Sequence, residues 1–193
     1  MRVVISPPTE ADEAAFTEGI RRSRRLHGRW GGGPETPEEY AVYLAKAADE
    51  RRRYFFARLR DSGEIVGYLN LGEIIHGSLY QAFLGYGAIA GHEGRGLMSE
   101  AMQLVLRDAF GPLGLHRIEA NIQPENRPSI VLAERSGFRR EGFSPRYLKI
   151  NGRWRDHERW AINAEQWREH RKARPPSTGS DPVEGGRGLA GLR

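Results

Sequence analysis

Between Gln81 and Phe110 the spacing of apolar positions changes period once. Phe83, Leu84, Tyr86, Ala88 and Ile89 form a mostly apolar run with aromatic content, which predicts a buried strand. From Leu97 the apolar residues recur at helical spacing (Leu97, Ala101, Leu104, Val105, Ala109), with Arg107 and Asp108 on the other side. Gly91, Gly94 and Gly96 lie between the two, so the stretch reads as strand, glycine turn and amphipathic helix. The first N–H groups of a helix lack internal partners and sit at the positive end of its dipole. Such a turn predicts an anion site, here for a phosphate or pyrophosphate, and Arg95 adds a formal charge. Neither the dinucleotide fingerprint nor the phosphate-loop lysine is present in the stretch.

Strands and helices are predicted on both sides of this unit. Arg2 to Ile5 is a short strand ending at Pro7–Pro8, and Thr9 with Asp12 opens a helix reaching about Leu26. The glycines and prolines of HGRWGGGPETP make residues 27–37 a loop, in which Trp30 is either a substrate lid or part of a connector. Thr36, Pro37 and Glu39 start a second helix running to about Arg52. Tyr54 to Arg60 and Glu64 to Leu71 are strands joined by an Asp61–Ser62–Gly63 turn. Beyond the central unit come a strand from His116 to Ile122 and a short helix from Pro128 to Arg135, stopped by Gly137. The last strands are Phe138 to Ser144 and Trp154 to Ile162, with a tight turn at Asn151–Gly152. This order suits an α/β (α+β) chain built on a twisted mixed sheet. Residues 1–170 are expected to form one domain, and the Pro-, Gly- and Ser-rich residues 171–193 a disordered tail.

Composition narrows the chemistry. The 193 residues are 28% charged and 38% hydrophobic, the balance of a globular protein. No apolar run is long enough to span a bilayer, and the first residues lack the apolar core of a signal peptide, so a cytoplasmic location is expected. With no cysteine, an acyl-cysteine intermediate is impossible and a structural zinc is not expected; no residues have metal-ligand spacing. The net charge of +5 is concentrated in arginine clusters at 21–25, 51–53, 139–146 and 153–159. Such clusters suit a polyanionic ligand, or association with a ribosome or RNA.

The glycine-turn block resembles the cofactor motif of the GNAT superfamily of acyl-CoA-dependent N-acyltransferases, Gln/Arg-x-x-Gly-x-Gly/Ala, whose positions fall here on Glu93, Gly96 and Met98. Two of the three depart from the pattern, and Glu93 puts a carboxylate where a neutral or basic side chain is usual. IEANIQPENRPSIVLAERSGFRREG (118–142) is similar to the second conserved block of that family. LKINGRWRDHERWAI (148–162) and GYLNL…HGSLYQAFLGY (67–86) resemble the ribosomal-protein-alanine acetyltransferase (RimJ-like) branch. The resemblance implies a GNAT fold: a mixed, mostly antiparallel sheet of about six to seven strands with a splayed central pair, flanked by about four helices.

It also implies acetyl-CoA as co-substrate, no metal, and a monomer or homodimer. Its pyrophosphate would sit on Gly94, Arg95, Gly96, Leu97 and Met98, and its pantetheine arm would pair with the backbone of Gly87 to Ala90, so Ala88, Ile89 and Ala90 are candidate contacts. Asn126 and Ser129 match positions that touch the arm near the sulfur; Ser129 either donates its hydroxyl there or caps the short helix. The glutamate that often serves as base in the branch falls on Phe83, which leaves Glu73 as the candidate base, with His76 close by. Tyr147 is a candidate acid or a packing residue, and Trp154, Asp156 and His157 are candidates for the substrate mouth. Acceptor specificity would reside in residues 20–40 and 72–80.

The expected reaction is direct transfer to a primary amine. An α-amino group, with a pKa of about 7.7–8.0, is far more often neutral at pH 7 than a lysine at about 10.4, so a protein N-terminus needs only a modest base. A small amine such as an antibiotic, aminoacyl compound or polyamine is the rival acceptor, and a non-catalytic acyl-CoA-binding module docking on the ribosome or RNA is the rival class.

Overall fold

The computed structural model describes residues 1–173. Its strands are β1 (Val3–Ser6), β2 (Arg53–Leu59), β3 (Ile65–Ile75), β4 (Gln81–Ala88), β5 (Arg117–Ile122), β6 (Arg139–Ile150) and β7 (Arg153–Asn163). Its helices are α1 (Glu13–Arg22), α2 (Arg24–His27), α3 (Pro37–Ala47), α4 (Leu97–Phe110), α5 (Arg127–Arg135) and α6 (Ala164–Ala173). The strands form one sheet in the order β1-β2-β3-β4-β5-β7-β6. Every neighbouring pair is antiparallel except β4 and β5.

That parallel pair is where the sheet opens. β4 and β5 are in register only at Gln81↔Arg117, Ala82↔Ile118 and Phe83↔Glu119, although β4 continues to Ala88 and β5 to Ile122. The two strands therefore splay towards their C-terminal ends, the splayed central pair that the family resemblance implied.

Side-chain alternation decides what covers each face. Leu69 and Leu71 of β3, Ala82 and Leu84 of β4, Ile118 and Ala120 of β5 and Trp160 and Ile162 of β7 are buried in one cluster with Met102, Val105 and Leu106 of α4. On the opposite face Phe16, Ile20, Tyr40, Phe56, Ile65 and Ile89 form a second cluster joined by Tyr43 and Tyr68, so α1 and α3 cover β2 to β4. Tyr86 packs on the α4 side, and its hydroxyl donates to the Ser129 carbonyl at 2.9 Å. It ties β4 to α5 across the gap that the strands leave.

The elements depart from sequence expectation at their ends. The first helix breaks at Ser23, whose hydroxyl donates to the Gly19 carbonyl at 2.6 Å, and restarts as α2. α3 stops at Ala47 rather than near Arg52. β3 runs on to Ile75 through an irregularity at Glu73, whose φ of 48° is left-handed. β6 extends to Ile150 past a second irregularity at Arg146, φ 48°. Residues 164–173 form α6, so Arg171 to Ala173 are helical, not the start of a tail; the rest of that expected tail lies outside the described residues. Six helices rather than four thus flank the sheet among the described residues. None of them is long and apolar enough to cross a membrane.

Candidate active site

The glycine turn lies at the open end of the splay. Gly91, Gly94 and Gly96 have φ of 93°, 70° and 78°, a region costly for side-chain-bearing residues, and Gly96 is the N-cap of α4. A Cβ at Gly94 would meet nothing within 4 Å, so the turn presents bare backbone to open space. Leu97 is buried in the core and offers a ligand only its amide. The Met98 thioether fills the space over Gly67, where a Cβ would lie 2.3 Å from the sulfur. Arg2 buttresses the turn: it donates to the Arg95 carbonyl at 2.8 Å and pairs with Glu100 at 2.6 Å. Glu93 folds back on its own loop and accepts from the Gly91 amide at 2.7 Å. Backbone N–H groups, its own first and then those of Gly91 and His92, hold its carboxyl below the usual range. The charge that breaks the family pattern is thus absorbed locally.

The backbone of β4 follows from one hydrogen bond. The Ile89 amide donates to Val66, so Gly87 and Ile89 face β3 while Ala88 and Ala90 face the splay. Two of these splay-facing groups have side-chain partners. His27 Nε2 lies 2.6 Å from the Ala88 carbonyl, and the Ala90 amide donates to Ser23 Oγ at 2.9 Å. The expectation that all of Gly87 to Ala90 offers free edge is corrected: the Ile89 amide is bonded to β3, and the end of α1 and α2 reaches the same edge a pantetheine arm would use. Neither Ser23 nor His27 stood out in the sequence, because both contacts cross more than 60 residues.

Across the gap, Asn126 is the N-cap of α5; its side chain accepts from the Ser129 amide at 3.4 Å. Asn126 therefore does the capping, and the Ser129 hydroxyl takes no part in that contact. Between the end of β5 and the start of α5 a pocket of about 230 Å³ is lined by Arg29, Trp30, Gln123, Glu125, Trp154, Arg155 and Asp156. The 28–33 loop closes over it: Gln123 donates to the Trp30 carbonyl at 3.3 Å and Asn151 to the Gly28 carbonyl at 2.8 Å. Trp30, Trp154 and Asp156 line this mouth. His157 does not, being 2% exposed, and burial pushes its imidazole down. Tyr147 sits edge-on to His157, ring centroids 6.3 Å apart, and is exposed without lining the pocket.

Glu73 is not brought to the splay. Its left-handed backbone turns the carboxylate to Arg52 at 3.3 Å, on the β2 side of β3. His76 packs edge-on with Tyr80 in the β3–β4 connection, at the closed end of the β4–β5 pair, and residues 72–80 as a whole lie there. Among the described residues no group of acidic or histidine side chains is placed to hold a metal ion.

A sheet opened at its one parallel pair, with a glycine turn on a helix N-terminus at the open end, defines a site of the acyltransferase class. The chain belongs to the acetyltransferase (GNAT) domain family, whose model matches residues 2–139. It is 40% identical over 128 residues to a probable N-acetyltransferase, YjcK, of Bacillus subtilis, covering 66% of this chain and 64% of that protein. It is 38% identical over 107 residues to the [ribosomal protein uS5]-alanine N-acetyltransferase of Escherichia coli, covering 55% of each. The chain thus matches less than two thirds of the length of these relatives. Among solved structures, RimJ of Mycobacterium smegmatis in complex with CoA-disulfide superimposes with a TM-score of 0.78 at 32% identity, over 85% of this chain and 83% of that one. A spermidine N-acetyltransferase of Vibrio cholerae, at 23% identity and TM-score 0.74 over 86% of this chain and 98% of that one, shares the fold.

Proposed function

We propose that this protein transfers the acetyl group of acetyl-CoA directly to the N-terminal α-amine of a protein or peptide. The family supplies the donor. The bare amides at Gly94 to Met98, with Arg95, suit its pyrophosphate, and the splay-facing backbone of Tyr86 and Ala88 suits its arm. Asn126 and Ser129, at the start of α5, match the family positions that touch the arm near the sulfur. The amine then enters from the pocket at the end of β5.

The charge balance of that pocket carries the choice of acceptor. Two arginines (Arg29, Arg155) offset two carboxylates (Glu125, Asp156) beside two indoles. A polyamine would call for an acidic lining, whereas a peptide end, with one ammonium, amide groups and apolar side chains, suits a mixed one. Beside it on the β6–β7 hairpin, Arg146 and Arg153 have no ion-pair partner among the described residues, and Trp154 is 62% exposed. This basic rim suits an acceptor displayed on an anionic particle such as a ribosome.

The test is CoA release from acetyl-CoA with three sets of amines: peptides beginning with Ala, Ser or Met; the same peptides N-blocked but carrying a free lysine; and polyamines with aminoglycosides. Turnover confined to free N-termini is the expected result. Turnover with small amines alone would replace this acceptor, and acetyl-CoA binding with no turnover would point to a binding module.

A further inference from the structure

Neither expected position of the base offers a receiver for the proton that an acceptor ammonium must lose: Phe83 has no basic group and Glu73 is turned to Arg52. The strand register supplies one. Glu119 stands opposite Phe83 in the last pair before β4 and β5 part. It lies between Ile118 and Ala120, which pack on α4, so its side chain is on the other face, the one shared with Phe83. That side chain is only 17% exposed, and its Oε1 accepts from Arg117 Nε at 2.9 Å, with Oε2 outside that contact.

Two more polar residues continue the row. Asn121 is on the same face, and its Oδ1 is buried with no hydrogen-bond partner among the described residues. Buried polar atoms are normally satisfied, so an orphan acceptor beside a cleft points to a donor that arrives with a ligand. Gln123, next on that face, lines the pocket. Alternate residues of a strand are about 6.6 Å apart, so Glu119 and Asn121 of β5, with Gln123 just past its end, form a track from the last β4–β5 pair to the pocket.

We propose that Glu119 is the base that takes the proton of the acceptor amine and that Asn121 Oδ1 accepts a hydrogen bond from that amine and positions it. The proposal rests on the acetyl-transfer reading. The ammonium gives one proton to the Glu119 carboxylate. The freed lone pair forms the C–N bond at the thioester carbonyl carbon while the C–S bond breaks. The sulfur leaves with the bonding electrons and takes the second N–H proton, and Glu119 passes its proton to solvent, so the products are amide, thiol and one proton. The charged groups around Glu119 are Arg117 on its own strand, Arg159 on β7, and Arg139 and Glu141 on β6; β4 presents Gln81 and Phe83.

The test compares Glu119→Gln with the parent protein on an Ala-initiated peptide across pH. Arg117 keeps Glu141 as a partner, so the variant is expected to fold and to keep its thermal shift with acetyl-CoA. Its kcat/KM should fall on the order of 10²-fold at pH 7. The loss should shrink as the pH rises through about 7.7–8.0, where the peptide's own α-amine becomes neutral and needs no base. Asn121→Leu should raise KM for the peptide about tenfold while raising Tm, because an unpaired buried oxygen is removed. An active parent with Glu119→Gln of equal activity, or with a loss constant across pH, overturns the base and leaves acetyl transfer standing. A parent that releases no CoA with any amine overturns both.

Discussion

The residues of the splay divide by what already holds them. Asn126 closes α5 through its Oδ1, so Asn126→Ala should cost about 1 kcal/mol of stability from the lost cap. If its Nδ2 also meets the pantetheine arm, KM for acetyl-CoA will rise as well, which steady-state kinetics separates from the Tm change. Glu73, paired with Arg52 and more than half exposed, should be dispensable: Glu73→Ala should leave the pH–rate profile unchanged. The polar row of β5 was legible as alternation, since Ile118, Ala120 and Ile122 are apolar and Glu119, Asn121 and Gln123 are not. That this polar face borders the splay was not legible, because the register that ends at Glu119 joins residues 36 apart in sequence.

Among the elements, the strand, glycine turn and helix of residues 81–110 form as their periodicity and glycines predict. The turn makes the sharpest test of the cofactor site. Gly94→Asp with Gly96→Asp places two carboxylates against the expected pyrophosphate and forces side chains into φ of 70° and 78°. The variant should lose a few kcal/mol of stability, with ~1–3 kcal/mol of strain per site, and should show no thermal shift with acetyl-CoA. A shift of parental size would move the cofactor elsewhere. Element ends were less legible. A helix pattern continues through Ser23 in sequence, yet the chain breaks there because the Ser23 hydroxyl bonds Gly19 and also accepts the Ala90 amide, a partner supplied from just past the end of β4. β3 and β6 outrun their apolar alternation in the same way, because paired neighbours carry them across left-handed residues.

For the molecule as a whole, a buried carboxylate, Asp12, and a half-buried one, Asp108, give pH dependences of opposite sign. Burial alone would raise Asp12, but Arg58 at 2.8 Å and the Thr9 donors outweigh it and hold its carboxyl below the usual value. A lowered folded pKa contributes stability that is present above the unfolded value of about 3.9 and lost as pH falls through the folded one. Burial raises Asp108, only partly opposed by Arg53 at 3.8 Å, and one of its oxygens has no hydrogen-bond partner among the described residues. A raised folded pKa contributes stability that is present below the unfolded value and lost as pH rises through the folded one. Asp12→Asn should therefore flatten the acid limb of the Tm–pH curve. Asp108→Asn should raise Tm at neutral pH by removing a buried charge that lacks a full partner. Thermal melts of both variants from about pH 3 to pH 8 check the two signs.

Sequence alone determined the order of elements, the glycine turn with its exposed amides, the lack of a cysteine nucleophile, and the family, because each is carried by residue types within a few positions of one another. Only the tertiary structure decided where β4 and β5 part, which face of β5 meets the gap, that Ser23 and His27 reach the β4 edge, and that Glu73 is spent on Arg52. Those are matters of register and packing between segments tens of residues apart. Local spacing cannot encode them, because the same alternation fits either face of a strand until its neighbours are in place.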